Sequence, residues 1–342
     1  MIRLLILLLL PIAAQAEVVR IATYNTELSR KGPALLLRDI DRDDAQVLAA
    51  IDVVSAARPD IIALQGIDWD LEGAAVNALS QKLRAAGLDY GYFYAAQPNA
   101  GLETPLDLDG DGRTQGPGDA QGWGRFTGQG GLAILSRYEI VTEEILNFSE
   151  LLWQDLPGAA LPFVDDRPFP SEEAYQIQRL SSTAHWVVPI ETPLGRLNLM
   201  TFHAAPPVFD GPEDRNGLRN RDEIRFWSVL LSGDLGPVPN GPFVIAGDAN
   251  LDPERGEGHK RAIRTLLTDP RLQDPVPTDP SGSSATVDWK ATGEMRVDYV
   301  LPSRDLRVLD SGVLWPKDGE PLWDNAHRAS RHRLVWVDVA LP

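Results

Sequence analysis

The sequence predicts an α/β fold, and three observations carry that expectation. Short apolar runs recur at residues 18–23, 61–64, 132–135, 197–202, 243–246, 297–301 and 334–339, with the length and composition of buried strands. Stretches with apolar residues at helical spacing lie between several of them, at 45–57, 76–86, 218–231 and 260–267. Several of the runs also stop at polar residues suited to one chemical task.

Residues 1–16 come first and read as a secretory signal. Arg3 precedes an apolar stretch at 4–10, and Ala14-Gln15-Ala16 forms a small-x-small cleavage site before Glu17. The stretch is too short to cross a bilayer, so the expectation is an exported protein, periplasmic or extracellular, without a membrane anchor. The sequence has no cysteine, which excludes disulfides, thiolate metal sites and thiol nucleophiles. An exported chain without disulfides needs a core large enough to hold itself together. No linker rich in Ser, Gly or Pro divides residues 17–342, which are expected to form a single domain. Irregular stretches at 97–130 and 148–173 read as elaborate surface loops. The formal net charge of −17 disfavours avid, sequence-independent binding of nucleic acid. Arg215, Arg219, Arg221 and Arg225 form either a local basic groove or, at helical spacing, only a solvated face.

The chemistry is concentrated at strand ends. Phe243-Val244-Ile245-Ala246 stops at Gly247-Asp248-Ala249-Asn250, which puts Asp248 and Asn250 on the same side of the chain. Such a pair can hold a metal, an attacking water or a phosphate oxygen, although the same residues also favour a plain turn. Other runs end in Asn25, in Gln65 followed by Gly66 and Asp68, and in His203. Asp298 lies inside a strand-like run, and His332 stands just before the last one. Any one of these is matched by a satisfied core residue in many proteins; six in one chain are specific.

In these motifs the chain resembles the endonuclease/exonuclease/phosphatase superfamily, the fold shared by DNase I-like nucleases, neutral sphingomyelinases and inositol polyphosphate 5-phosphatases. The resemblance rests on Thr23-Tyr24-Asn25, residues 61–65 and 131–137, Gly247 to Asn250, Val297-Asp298-Tyr299 and Ser330-Arg331-His332. It implies a four-layer α/β/β/α sandwich of two packed mixed sheets with the active site at one end. It also implies hydrolysis of a phosphate ester with a divalent metal, Mg²⁺ or Mn²⁺. Asp248 would position or deprotonate the water, and Asn25 and Asn250 would bond metal ligands or phosphate oxygens. His332 would donate to a phosphate oxygen with Asp298 fixing its ring, and His203 would be a general acid towards the leaving oxygen. Arg179 is a candidate phosphate contact, and His185 reads as a packed residue.

Two departures from the family pattern bear on the metal. The family has Glu directly after the Gln of the second strand, where this chain has Gly66, and Asp directly before the final His, where it has Arg331. Both changes remove negative charge from the place of a cation. Asp68, Asp70 or Glu27 are the candidates to replace the lost carboxylate, with Asp68 preferred; alternatively Arg331 itself clamps the phosphate. A second metal signal is Asp107-Leu108-Asp109-Gly110-Asp111-Gly112, which matches the start of a calcium loop without its flanking helices. Asp107, Asp109 and Asp111 would hold a structural Ca²⁺ that orders the loop, with Trp123 and Phe126 as lid residues. The expected function is an exported phosphoesterase acting on a nucleotide, a nucleic acid or a lipid head group. The alternative is a non-catalytic, calcium-stabilised binder of phosphate ligands. No serine nucleophile elbow and no His-Glu-x-x-His run supports another hydrolase class.

Overall fold

The computed structural model describes residues 17–341, and the segment read as an export signal lies outside the described residues. One sheet has six strands in the order Arg307–Leu314, Leu334–Ala340, Val19–Leu28, Ile61–Ile67, Gly131–Ser136 and Tyr92–Tyr94. The other runs Asp298–Pro302, Phe243–Asp248, Gly195–His203, His185–Thr192 and Glu139–Ile140, with Leu146–Asn147 also paired to His185–Thr192. Both sheets are mixed. Val19–Leu28 is parallel to Ile61–Ile67 and antiparallel to Leu334–Ala340, and Gly195–His203 is parallel to Phe243–Asp248 and antiparallel to His185–Thr192.

Alternation along the strands sorts apolar side chains into three layers. Ile21, Ile61, Ala63, Leu199, Val244, Ala246 and Val300 fill the space between the sheets. On the outer face of the first sheet, Ala22, Tyr24, Ile62 and Leu64 pack with Val47, Ile51, Val76 and Leu79 of the helices Ala45–Ala57 and Ala74–Ala85. On the outer face of the second, Met200, Phe202 and Ile245 pack with Ile224, Trp227 and Ile263 of the helices Arg215–Ser232 and Lys260–Leu267. The result is the expected four-layer sandwich of helices, sheet, sheet and helices. Each aliphatic side chain fully buried in these layers contributes ~1.5–3 kcal/mol.

The helix Ala45–Ala57 has the bounds its periodicity predicts. Asp44 caps it by accepting from the Gln46 and Val47 N–H groups, and Arg58 ends it in the left-handed conformation. The strands Val19–Leu28 and Phe243–Asp248 run further than their apolar runs, because their polar ends stay in the ladder. Besides the short strands, two long ones escape sequence reading. His185–Thr192 is interrupted by Pro189, and Arg307–Leu314 is an edge strand whose largely exposed face has no apolar rhythm.

The irregular stretches are tied down by polar bonds. Asn99, fully buried, donates from Nδ2 to the carbonyls of Ser149 and Ser181 at 2.7 and 2.8 Å, which joins both loops to the second sheet. The four helical arginines form neither a basic groove nor a solvated face. Arg219 is buried and donates to the carbonyls of Arg179, Leu180 and Ser181, while Arg221 and Arg225 both pair with the buried Asp222. Arg215 donates to the Leu108 carbonyl of the acidic loop. Among the described residues, no helix is long and apolar enough to cross a membrane.

Candidate active site

The site forms where the layer between the sheets turns polar at one end. Side chains two residues apart on a strand share a face, so the inward series Ile21, Thr23 leads to Asn25, and Ile61, Ala63 leads to Gln65. In the other sheet Leu199, Thr201 leads to His203, and Val244, Ala246 leads to Asp248. Register completes the row: His203 lies opposite Asp248, and Asp248 opposite Asp298. The two sheets are joined across the site by Asn25, whose Nδ2 donates to Asp248 Oδ2 at 2.9 Å.

The two histidines of the site differ in charge. His332 Nδ1 lies 2.9 Å from Asp298 Oδ2 and 3.9 Å from Asp248 Oδ2, with all three residues almost wholly buried. Burial alone would lower the imidazole's pKa, but the charges of Asp298 and Asp248 outweigh it and raise it to about 9. His332 is therefore a cation at neutral pH, and its Nε2 has no partner among the described residues. His203 is neutral: burial lowers its pKa, and the attraction of Asp248 is opposed by the neighbouring His332. Its Nδ1 is buried without a partner, which leaves Nε2 as the working nitrogen, 3.4 Å from Asp248 Oδ2. The lowered pKa of His203 favours its neutral form, whereas the carboxylates around His332 favour its charged one.

Asp248 is the hub. Burial and the charge of Asp298 raise its pKa, against His332, His203 and Asn25, which favour the ionised form. Its Oδ1 accepts from the Asn250 N–H at 2.8 Å. Asn250 adopts a left-handed backbone (φ 50°), which Asn tolerates, and its Nδ2 donates to the Ala204 carbonyl beside His203. Asp298 is held by Thr286, whose Oγ1 donates to Oδ2 at 2.8 Å and accepts the Asp298 N–H. Trp289 meets His332 edge-on at 5.8 Å between ring centroids.

The rim of the site is rearranged around Gly66. Its φ of +68° is a glycine conformation, and a Cβ there would stand 2.5 Å from Asn25 Oδ1 and 3.1 Å from the Glu27 nitrogen. Asn25 Oδ1 accepts from that nitrogen at 3.2 Å. The Glu27 carboxylate turns to the last loop. Oε2 accepts from the Arg331 N–H at 2.8 Å and from Ser330 Oγ at 3.2 Å, and Oε1 accepts from Arg331 Nε at 2.8 Å and from Nη2. Although partial burial works to raise the Glu27 pKa, these Arg331 bonds hold it below the usual carboxylate range.

Other expected ligands lie elsewhere in function. Asp68, preferred as the replacement carboxylate, is a loop staple: its oxygens accept from the Arg30 and Gly130 N–H groups at 2.8 and 2.9 Å. Asp70 bonds the Ala74 and Ala75 N–H groups at the start of a helix. Arg179 bonds Asn99 and Glu150 and lines a cleft of about 440 Å³ with Gln97, Leu102, Asn147 and Ser149, a space that does not include the His332 cluster. In the acidic loop, Asp107 and Asp109 converge with Asp119 rather than with Asp111, which accepts from the Arg113 N–H instead. Trp123 is exposed, with the Arg125 guanidinium over its ring.

Several important residues carried no readable signal. Glu223 is fully buried mid-helix and accepts from Ser182 N–H, Ser182 Oγ and Ala205 N–H at 2.6, 2.7 and 2.7 Å, which fixes the loop leaving His203. Thr286 likewise acts through Asp298 of the strand Asp298–Pro302. His185 is the packed residue it was expected to be: burial pushes its pKa down to about 3, among Phe202, Phe226 and Trp227.

Members of the family typically use divalent metals. The residues here do not fit a cation at the rim. No side chain fits at position 66, the Asn25 amide oxygen is bonded to the chain, and Glu27 is engaged by a guanidinium. In the buried cluster Asp248, Asp298 and His332 offer ligand atoms within 4.8 Å of one another, but His332 Nδ1 is bonded to Asp298 at 2.9 Å, so a cation there would have to displace that bond and its proton.

The endonuclease/exonuclease/phosphatase family model matches residues 22–332. No curated protein matches the chain. Among solved structures, the chain is similar to an endonuclease/exonuclease/phosphatase from Beutenbergia cavernae DSM 12333 at 18% identity and a TM-score of 0.57, over 95% of this chain and 72% of that one. It is similar to a family protein from Leptotrichia buccalis C-1013-b at 16% identity and a TM-score of 0.53, over 95% and 99%. The human Nocturnin catalytic domain is similar at 13% identity and a TM-score of 0.50, over 95% of each. These structures share the fold, and the family match over residues 22–332 shows the lineage: the chain belongs to the endonuclease/exonuclease/phosphatase family.

Proposed function

We propose that this protein is an exported phosphoesterase that hydrolyses phosphodiester or phosphomonoester bonds. The observation that carries the reading is the geometry of His332, whose Nδ1 lies between Asp298 and Asp248, carboxylates that favour its charged form, while Nε2 is left free to meet an anionic substrate. A water attacks phosphorus and the bond from phosphorus to the leaving oxygen breaks. The water's proton goes to the pair formed by His203 Nε2 and Asp248, and His332 Nε2 gives its proton to the leaving oxygen. Asn25 and Asn250 hold Asp248 in place from two sides. Asp298 keeps His332 in the tautomer and charge state the step needs.

The acidic loop serves structure in this reading. Asp107, Asp109 and Asp119 offer carboxylate oxygens within 4.8 Å of one another, and they would hold a Ca²⁺ that orders the loop. The experiment is hydrolysis of a chromogenic phosphodiester with chelator, Mg²⁺, Mn²⁺ or Ca²⁺, by the wild type, Asp248→Ala and His332→Ala. Turnover present in the wild type and lost in both variants is the expected result. Turnover that survives either substitution refutes the assignment.

A further inference from the structure

We propose that Arg331, anchored by Glu27, is the phosphate clamp of this site and does the electrostatic work of the cation that the rim cannot hold. The inference rests on the phosphoesterase reading for its substrate class, but its geometry is independent of turnover.

The rim combines the two departures, Gly66 and Arg331, with the carboxylate of Glu27 between them. Gly66 leaves no side chain where one would collide with Asn25 Oδ1, and Glu27, itself left-handed at φ 49°, bonds the last loop through its carboxylate. Glu27 then supplies the carboxylate that position 66 lacks, and it faces Arg331. Finally Arg331 brings a positive charge that does not dissociate, in place of an exchangeable ion.

The guanidinium is oriented but not used up. Of the five N–H donors on an Arg side chain, Nε and Nη2 meet Glu27, and Nη1 has no partner among the described residues. The side chain is 64% exposed, so those donors are open to solvent. Its backbone is fixed on both sides. The Arg331 N–H bonds Glu27, the Arg331 carbonyl accepts from the Asp288 N–H, and Arg333 N–H donates to the Thr286 carbonyl. The next residue is His332, whose N–H is held by Ser330 Oγ, and the same hydroxyl donates to the Asn25 carbonyl at 2.7 Å. Arg331 and His332 are thus two cationic donors on one rigid turn. A guanidinium with a free edge matches the oxygens of a phosphate dianion or diester, and its charge-assisted bonds are strong.

The test is titration calorimetry of inorganic phosphate into the protein with EDTA present throughout. The wild type is expected to bind, and Arg331→Met to bind at least about tenfold more weakly, the loss of charge-assisted bonds. Arg331→Lys, which keeps the charge without the fork, is expected to fall between. Glu27→Ala is expected to lose affinity severalfold and Glu27→Gln less, because the amide still offers an oxygen to the arm. Phosphate binding that requires Mg²⁺ or Mn²⁺, or equal binding by wild type and Arg331→Met, overturns the proposal. Hydrolysis separates the two readings. Turnover that vanishes in EDTA and returns with Mg²⁺ or Mn²⁺ but not with Ca²⁺ overturns the clamp and leaves the phosphoesterase standing. Phosphate held through Arg331 without turnover of any ester leaves the clamp standing and removes the enzyme. Because Arg331 is largely exposed, unchanged thermal melting is the control that the variants fold.

Discussion

The two halves of this site carry similar charges under opposite conditions. On the inner half, His332 sits between Asp298 and Asp248 with almost no access to water. On the rim, Glu27 and Arg331 pair with the guanidinium mostly in solvent. Charges in the interior interact strongly and cannot be changed singly, whereas a pair at the surface is screened and can be exchanged at small cost. That contrast explains why the departures from the family pattern fall on the rim. The widest gap should appear in activity. Asp298→Ala strands the His332 cation, and its loss of proton control should lower kcat by ~10²–10⁴-fold, with stability down by ~3–5 kcal/mol as a buried pair is broken. Steady-state kinetics and urea melts check both, and a fall of less than tenfold in kcat would erase the distinction between the halves.

A second break point is the alkaline limb of the pH profile. His332 has a folded pKa of about 9, above its ordinary 6.5. Its contribution to stability is therefore fully present below about 6.5 and is lost as pH rises through about 9. The same deprotonation removes the proton donor, so kcat/KM should fall about tenfold per pH unit above that value. Asp298→Asn should move this limb to lower pH. His185 provides the internal control, since the same burial without carboxylates pushes it down to about 3 and its stabilising neutrality is lost only as pH falls from 6.5 towards that value. A limb unmoved in Asp298→Asn would mean that another group titrates there.

Beneath the inner half lies Glu223, which can be removed without touching substrate. Its carboxylate satisfies three donors on Ser182 and Ala205, and its carbonyl accepts from or faces His185 Nε2 at 2.9 Å. Glu223→Ala leaves buried N–H groups unpaired, each costing ~1–3 kcal/mol. We expect unfolding free energy to drop by ~3 kcal/mol or more, read from urea midpoints. A drop within ~0.5 kcal/mol would show that the loop after His203 holds itself.

What could be read from the chain follows the same division. Asp248, Asn25, His203 and Gln65 were legible because each extends a period-2 apolar series by one polar step, a local pattern. The registers that set His203 opposite Asp248 and Asp298 were not, since they pair strands distant in sequence. The Glu27 and Arg331 pair spans 304 residues, and no local pattern announces it. Extended spacing puts Asp68 on the same side as Gly66, which favours it over Glu27, but two backbone N–H groups claim its oxygens. Alternate spacing favoured Asp111, and chain curvature brought Asp119 to the cluster instead. The helical arginines looked solvated because their partners, Asp222 aside, are carbonyls of other segments, invisible to residue-type patterns.

A smaller effect is expected at the acidic loop, far from either half of the site chemistry. Ca²⁺ at 100 times its Kd would add ~2.7 kcal/mol to stability, and less at lower occupancy. Asp119→Asn should abolish the rise in melting temperature with added Ca²⁺, whereas Asp111→Asn should not. The reverse order would restore the alternate-residue ligand set.

The least effect, and the sharpest statement of the contrast, is the stability of Arg331→Met. Its bond to Glu27 is charge-assisted, yet the guanidinium is largely hydrated, so Coulomb attraction is screened and the ordering of a long side chain opposes it. Removing it should change unfolding free energy by ~0–1 kcal/mol, against the several expected for Asp298→Ala. Glu27 loses a partner but reaches water, and Ser330 Oγ and the backbone N–H at position 331 still bond it. A loss comparable to that of Asp298→Ala in urea melts would mean that the rim pair is structural in the same sense as the inner cluster. The rim would then be no freer to change than the interior, and its departure from the family pattern would need a different cause.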